Sequence, residues 1–276
     1  MSSTEQQPLA AMHPFVALMR KYCIDYTNSH DQSLYDEIME PDYVVHISGF
    51  DLPREPLYRQ AVVDIFQRAP GLGLVVHEFV LNGDRLCMRF SEHGSMPTDE
   101  GRALACWRGI GLYKWNGRRL TENYVEQDYL SAHRQLAGAM PHELDPIHLD
   151  PWVSTQAVAP NPDAEEAVRV WLAKGDLTDA NWHRVDDSLT DGPVIDFDEL
   201  TVDDLFSAGN RVAFHVAARG PYRGGIDDVP EDAIGSDATL HVAGIASVYR
   251  DGGIAELHAV TTRMTVRAQF TGLSPV

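Results

Sequence analysis

The stretch RRLTENYVEQDYLSAHRQLAG, Arg118–Gly138, changes its period half way along. Up to Gln127 it alternates like a strand. From Tyr129 the apolar residues recur at helical spacing, and the run stops at a glycine. Asp128 sits at the seam, in a run (Tyr124, Val125, Tyr129, Leu130) apolar enough to be half buried. A buried carboxylate is costly unless it is paired, hydrogen-bonded or used. Two uses are open. Asp128 can cap the helix that begins after it, worth about 1 kcal/mol, or it can transfer protons. Strand alternation sets Glu122, Tyr124, Glu126 and Asp128 on one face unless a bulge intervenes.

Reading outward, Trp115-Asn116-Gly117 marks the hairpin turn that feeds this last strand. Before it come three strand-like runs, LVVHEFVLNG, DRLCMRFSEHG and ALACWRGIGLYKWNG. Earlier still, DYVVHIS (Asp42–Ser48) alternates, and residues 56–68 read as a helix. Residues 14–40 read as helical, with Phe15, Leu18, Met19, Tyr22 and Tyr26 on one stripe. The expected fold is α+β: a curved antiparallel sheet wrapped around helices, a cone with an apolar interior.

A second copy is visible downstream. NGDRLCMRFSEHG (Asn82–Gly94) matches AGNRVAFHVAARG (Ala208–Gly220) in its Gly, Arg and final Gly. Gly109, Ile110 and Glu122 meet Gly244, Ile245 and Glu256, and Asp128 meets Thr262. His241 and His258 then fall opposite Cys106 and Tyr124. No counterpart of DYVVHIS is evident. The expected organisation is a first domain, 1–138, a Pro- and Asp-rich linker, 139–163, and a second, degenerate domain, 164–276.

The formal charge is −19, from 41 acids and 22 bases. Such a chain repels phosphate backbones and anionic lipid, so no nucleic-acid or membrane partner is expected. No apolar run approaches a membrane span, and the N-terminus lacks a signal-peptide pattern, so a cytoplasmic location is expected. Cys23, Cys87 and Cys106 are read as reduced, buried thiols. No zinc, nucleotide or dinucleotide motif occurs, and no cofactor or metal is expected. In HELDPIH, His142 and His148 with Glu143, Asp145 and Asp150 offer ligand types, but not a recognised spacing.

In order, DYVVHISG, NGDRLCMRFSEHG, RGIGLYKWNGRRLTENY and QDYLSAHRQLAG resemble the SnoaL-like branch of the NTF2-like superfamily. The resemblance covers most of residues 14–138 and implies two tandem NTF2-like cones, the second degenerate because it lacks the Asp. It places Asp128 inward as the acid/base group, with His46 and His93 near the cone's mouth and the helix of Tyr22 and Tyr26 along the pocket. A phenol such as Tyr26 could then donate to a developing oxyanion. Arg89, Trp107, Arg108 and Tyr124 are the candidate substrate-binding residues; structural roles stay open for each.

The reaction class this implies is cofactor-independent acid/base chemistry on an apolar aromatic small molecule. The tandem arrangement resembles bacterial lyases that act on lignin-derived diaryl compounds with loss of water and formaldehyde. A polyketide cyclase or isomerase and a non-catalytic binding module are the alternatives. A homo-oligomer is expected.

Overall fold

The computed structural model describes residues 11–141, 145–146, 148–188 and 192–273. The chain opens with α1 (Pro14–Arg20), capped by His13, whose Nδ1 accepts from the Phe15 amide. It runs on in wider π-type turns through Lys21–Asn28. His30 takes a positive φ of 58° and breaks the expected long helix. A short α2 (Tyr35–Ile38) follows. Next come β1 (Met39–Ile47), β2 (Phe50–Pro53) and α3 (Arg59–Arg68). The meander is β3 (Gly73–Leu81), β4 (Arg85–Thr98), β5 (Gly101–Trp115) and β6 (Leu120–Gln127), closed by α4 (Tyr129–Leu136).

Beyond it lie the single turn α5 (Pro151–Ser154) and α6 (Pro162–Leu172). The remaining strands are β7 (Trp182–Val185), β8 (Glu199–Ala208), β9 (Arg211–Pro221), β10 (Asp237–Val248) and β11 (Ile254–Thr261). The last helix is α7 (Arg263–Thr271). No helix among the described residues is long and apolar enough to cross a membrane.

The strands form two sheets, ordered β2-β1-β6-β5-β4-β3 and β7-β11-β10-β9-β8. In the first, β1 runs parallel to β6 and the other neighbours are antiparallel; in the second, β7 runs parallel to β11. The strand WHRV therefore holds the position of DYVVHIS, contrary to expectation. Four residues are too few to show a period in sequence.

Alternation along each strand gives two unlike faces. On the inner face of the first sheet, Leu86, Met88, Phe90, Tyr113 and Val125 pack with Phe15, Met19, Cys23 and Tyr26 of the first helix. On the inner face of the second, Val212, Phe214 and Val216 pack with Val168 and Trp171 of α6. The outer faces meet each other. Val80, Cys87, Ile110 and Leu112 press on Phe206, Ala213, Ala243, Ile245 and Val260. The order is helices, sheet, sheet, helices.

Both sheets repeat one packing device. Gly109 lies opposite Phe90, and Gly244 lies opposite Phe214. A Cβ built on either glycine falls 2.3 Å from the ring's Cζ, so each ring lies flat over a bare backbone. Gly109→Ala and Gly244→Ala should each cost about 1–3 kcal/mol through overpacking. Urea midpoints measure this, and unchanged midpoints would refute it. The same register puts His258 opposite Ile245, as Glu126 is opposite Ile110. His258 thus corresponds to Glu126 rather than Tyr124, while His241 does correspond to Cys106. From Gly244 to its partner Ala259 the β10–β11 hairpin spans 15 positions, against 18 from Gly109 to Gln127, so matching by sequence misplaces the last strand.

Candidate active site in the first half

Asp128 does cap α4: its side chain accepts from the Ser131 amide, and its own amide extends the ladder to the Arg108 carbonyl. It does not point into the cone. Val125 and Gln127 take the inner positions of this strand, Gln127 accepting from the Trp107 indole at 2.6 Å. Glu122, Tyr124, Glu126 and Asp128 therefore look out toward the second half. Asp128, fully buried, accepts from Nη2 of Arg263 at 2.7 Å. Arg263, from the first turn of α7, also meets Asp186 and Asp187 at 3.2 and 2.8 Å. The inward placement implied by resemblance is thus reversed, because a cation from the second half holds this carboxylate.

His46 bonds Asp51 at 2.6 Å and Glu122 at 3.2 Å and stacks on Tyr124, with ring centroids 4.2 Å apart. His93 is exposed beside Gly73 at the end of the sheet. Arg89 pairs with Glu78 and Asp145 on the outer face. Arg108 donates to the Asp186 carbonyl at 3.2 Å and lies 3.7 Å from Asp145. Asp145, which Arg184 also binds at 2.7 Å, is the linker acid listed above as a metal ligand type; three guanidiniums occupy it instead. His148 accepts from the Asp150 amide, and His142 and Glu143 lie outside the described residues. Of the expected site residues, only Tyr22, Tyr26 and Trp107 belong to the interior of the cone.

The interior holds a carboxylate that sequence reasoning missed. Glu92 is opposite Leu74 on β3 and Trp107 on β5, in the inner-facing series Leu86, Met88, Phe90, Glu92. Burial alone raises its pKa from the usual carboxylate range to about 7. No cation pairs with it among the described residues. Their own burial pushes up the Cys23 thiol and the Tyr129 phenol, and the Glu92 charge adds to the rise in both. The Tyr129 ring lies 6.4 Å from that of Trp107. Glu92 is surrounded by protein yet keeps part of its surface accessible.

Phenols line the rest of the interior. The Tyr22 and Tyr58 hydroxyls are 3.2 Å apart; Tyr43 donates to Asn123 at 2.6 Å and Tyr35 to the Arg54 carbonyl at 2.7 Å. The buried Tyr26 hydroxyl lies beside the Gln32 side chain, whose hydrogen bond opposes the rise that burial gives its pKa. Burial raises the pKa of Tyr22, Tyr26, Tyr43 and Tyr58, so these phenols stay protonated donors. Cys23 and Tyr26 both enter the core from the first helix, and the thiol lies close enough to Glu92 to feel its charge. All three cysteines are free thiols.

Charged side chains thread the seam between the sheets. Besides the Arg263 cluster, Arg211 reaches both Glu78 and Glu256. His215 bridges Asp203 and Glu126 at 2.9 Å each. Burial lowers the pKa of His215, but its hydrogen bonds to Asp203 and Glu126 override this and raise it to about 9. Beside Arg89 and Arg211, an open polar cleft of about 530 Å3 is lined by His77, Glu78, His148 and Gln156.

No protein-family model matches the sequence, and no curated protein matches it. Part of the chain is similar to solved structures. One is a candidate SnoaL-like polyketide cyclase from Jannaschia sp. CCS1, at 14% identity over 50% of this chain and 100% of that one, TM-score 0.42. Another is IdmH, a candidate polyketide cyclase from Streptomyces antibioticus, at 19% identity over 45% and 98%, TM-score 0.40. A third is TsrD from Streptomyces laurentii, at 22% identity over 46% and 96%, TM-score 0.39.

Proposed function

We propose that the chain is a tandem pair of NTF2-like units, 1–138 and 164–276 joined by 139–163. The first performs cofactor-independent acid/base chemistry on an apolar aromatic small molecule. The pairing is supported by the shared strand order, the repeated Gly–Phe contact and the helix that follows the last strand in each half. The chemistry rests on one observation: Glu92 is an unpaired carboxylate among rings, with a pKa near 7.

A carboxylate tuned to neutral pH can take a proton and return it within one turnover. Glu92 removes a proton from the bound molecule, and the resulting acid delivers it to a leaving oxygen or a ring-closing oxyanion. Tyr26, Tyr22 and Tyr58 donate hydrogen bonds to the oxygen on which charge develops. Trp107 shapes the floor, held flat by its bond to Gln127. Asp128, His46, Arg89, Arg108 and Tyr124 serve the seam between the halves in this reading.

A lyase and a cyclase or isomerase need the same groups and differ in what departs. A phenolic diarylpropane diol incubated with the protein separates them. Release of one formaldehyde per turnover, with water lost, identifies the lyase; an isomeric product identifies the other. The kcat/KM of the active protein should change through an inflection near pH 7, rising with pH if Glu92 is the base in the slow step. A flat profile between pH 5 and 9 would sink the assignment of Glu92.

A further inference from the structure

Three side chains with metal-ligating atoms meet on the outer face, away from the cone interior. Glu126 comes from β6, His215 from β9 and His241 from β10, and their ligand atoms all lie within 4.8 Å of one another. Glu126 and His215 are buried, and His241 is partly buried. The site is built at the seam: one half supplies the carboxylate and the other both imidazoles.

The surrounding atoms are arranged for it. The Nδ1 of His215 is engaged by Asp203 at 2.9 Å, and its Nε2 hydrogen-bonds Glu126 at 2.9 Å, so a metal ion would take the place of the Nε2 proton. A carboxylate behind the imidazole fixes its orientation and raises its basicity as a ligand. The Ser48 amide donates to both oxygens of Glu126, at 3.0 and 3.3 Å, and orients the carboxylate. His241 forms no side-chain hydrogen bond among the described residues. Its Nε2 would lie 2.9 Å from a Cβ on Gly49, so only a glycine, here at φ +80°, lets the loop close over it. The Tyr124 ring, 5.0 Å from that of His215, covers another side.

We propose that Glu126, His215 and His241 bind one divalent transition-metal ion of the zinc type, which pins the first sheet to the second. Two imidazoles and a carboxylate are a familiar zinc donor set, with a fourth position left for water or another ligand. Tetrahedral zinc with bonds near 2.0–2.1 Å holds its ligand atoms about 3.3 Å apart, so from within 4.8 Å the side chains must draw together on binding. The site is separate from Glu92, and its failure would leave the proposed chemistry untouched.

The test uses the full chain, freed of metal with a chelator and titrated with CoCl2 and then ZnCl2. The expected result is one equivalent of Co2+ with the strong visible bands of a tetrahedral site, displaced by one equivalent of Zn2+. Zinc should also raise the thermal midpoint. Asp203→Asn should weaken binding about 10–100-fold, and His241→Ala should weaken it further while leaving the melting of the metal-free protein unchanged. No binding by the wild type at 0.1 mM ZnCl2, a concentration on the order of weak adventitious sites, overturns the proposal. So does His241→Ala binding with wild-type stoichiometry and affinity. Should that variant fail to fold, imidazole nitrogen spectra of the unaltered protein decide: two rings must shift together on adding zinc, and fewer than two refutes the site.

Discussion

Glu92→Gln should abolish most turnover and leave the fold intact. Removing a positioned general base costs roughly a hundred- to ten-thousand-fold in rate. The amide is nearly isosteric and fits the same space between Leu74 and Trp107. Stability carries a second signature. A carboxyl raised to about 7 in the folded state binds more protons there than in the unfolded chain. Its contribution is therefore full below the unfolded value of about 4.3 and is lost as pH rises through 7. At pH 5 the variant and the wild type should melt alike. At pH 8 the variant should be the more stable, by about 1–3 kcal/mol, since it buries no charge. Retained activity together with a pH-independent stability difference would show that Glu92 is neither desolvated nor catalytic.

The second large effect belongs to Arg263. This guanidinium is 1% exposed and is the shared partner of Asp128, Asp186 and Asp187. Arg263→Met keeps most of the volume and leaves three carboxylates facing one another, Asp187 retaining Arg134 at 3.0 Å. Breaking a buried pair from one side costs about 3–5 kcal/mol. A thermal midpoint lower by roughly 10 °C follows for a chain of this size. Burial already raises Asp186 to about 7, with Arg263 opposing and Asp128 adding to the rise. Without Arg263 the Asp186 carboxyl moves higher still, and a group so raised stabilises the fold when protonated. The variant's deficit should accordingly shrink between pH 8 and pH 5. Adding Asp128→Asn and Asp186→Asn should recover part of it at pH 8. A deficit below 1 kcal/mol in urea unfolding would mean that the cluster does not hold the two halves together.

Arg263 also explains why Asp128 was easy to notice and hard to interpret. Its cost was visible from the apolar residues around it, and its capping role from the helix that follows. Its partner lies 135 positions along the chain, beyond any local pattern. Glu92 shows the reverse. Within DRLCMRFSEHG it reads as one charged residue near a strand end, flanked by Ser91 and His93. Only the register that sets it opposite Leu74 and Trp107 reveals that it is enclosed.

What the chain determined locally was its periodic structure. Alternation in the meander, the Asn116-Gly117 turn and the stripe of the first helix all follow from side-chain spacing, which is a property of neighbours. The matched glycines Gly109 and Gly244 likewise signalled repetition, because each answers a ring one strand away. Which face of each strand is dry and which meets the other sheet was decided only by assembly. Strand alternation fixes two faces without saying which is inside, and two acids on opposite faces look alike until the last helix brings Arg263 to one and no cation reaches the other among the described residues.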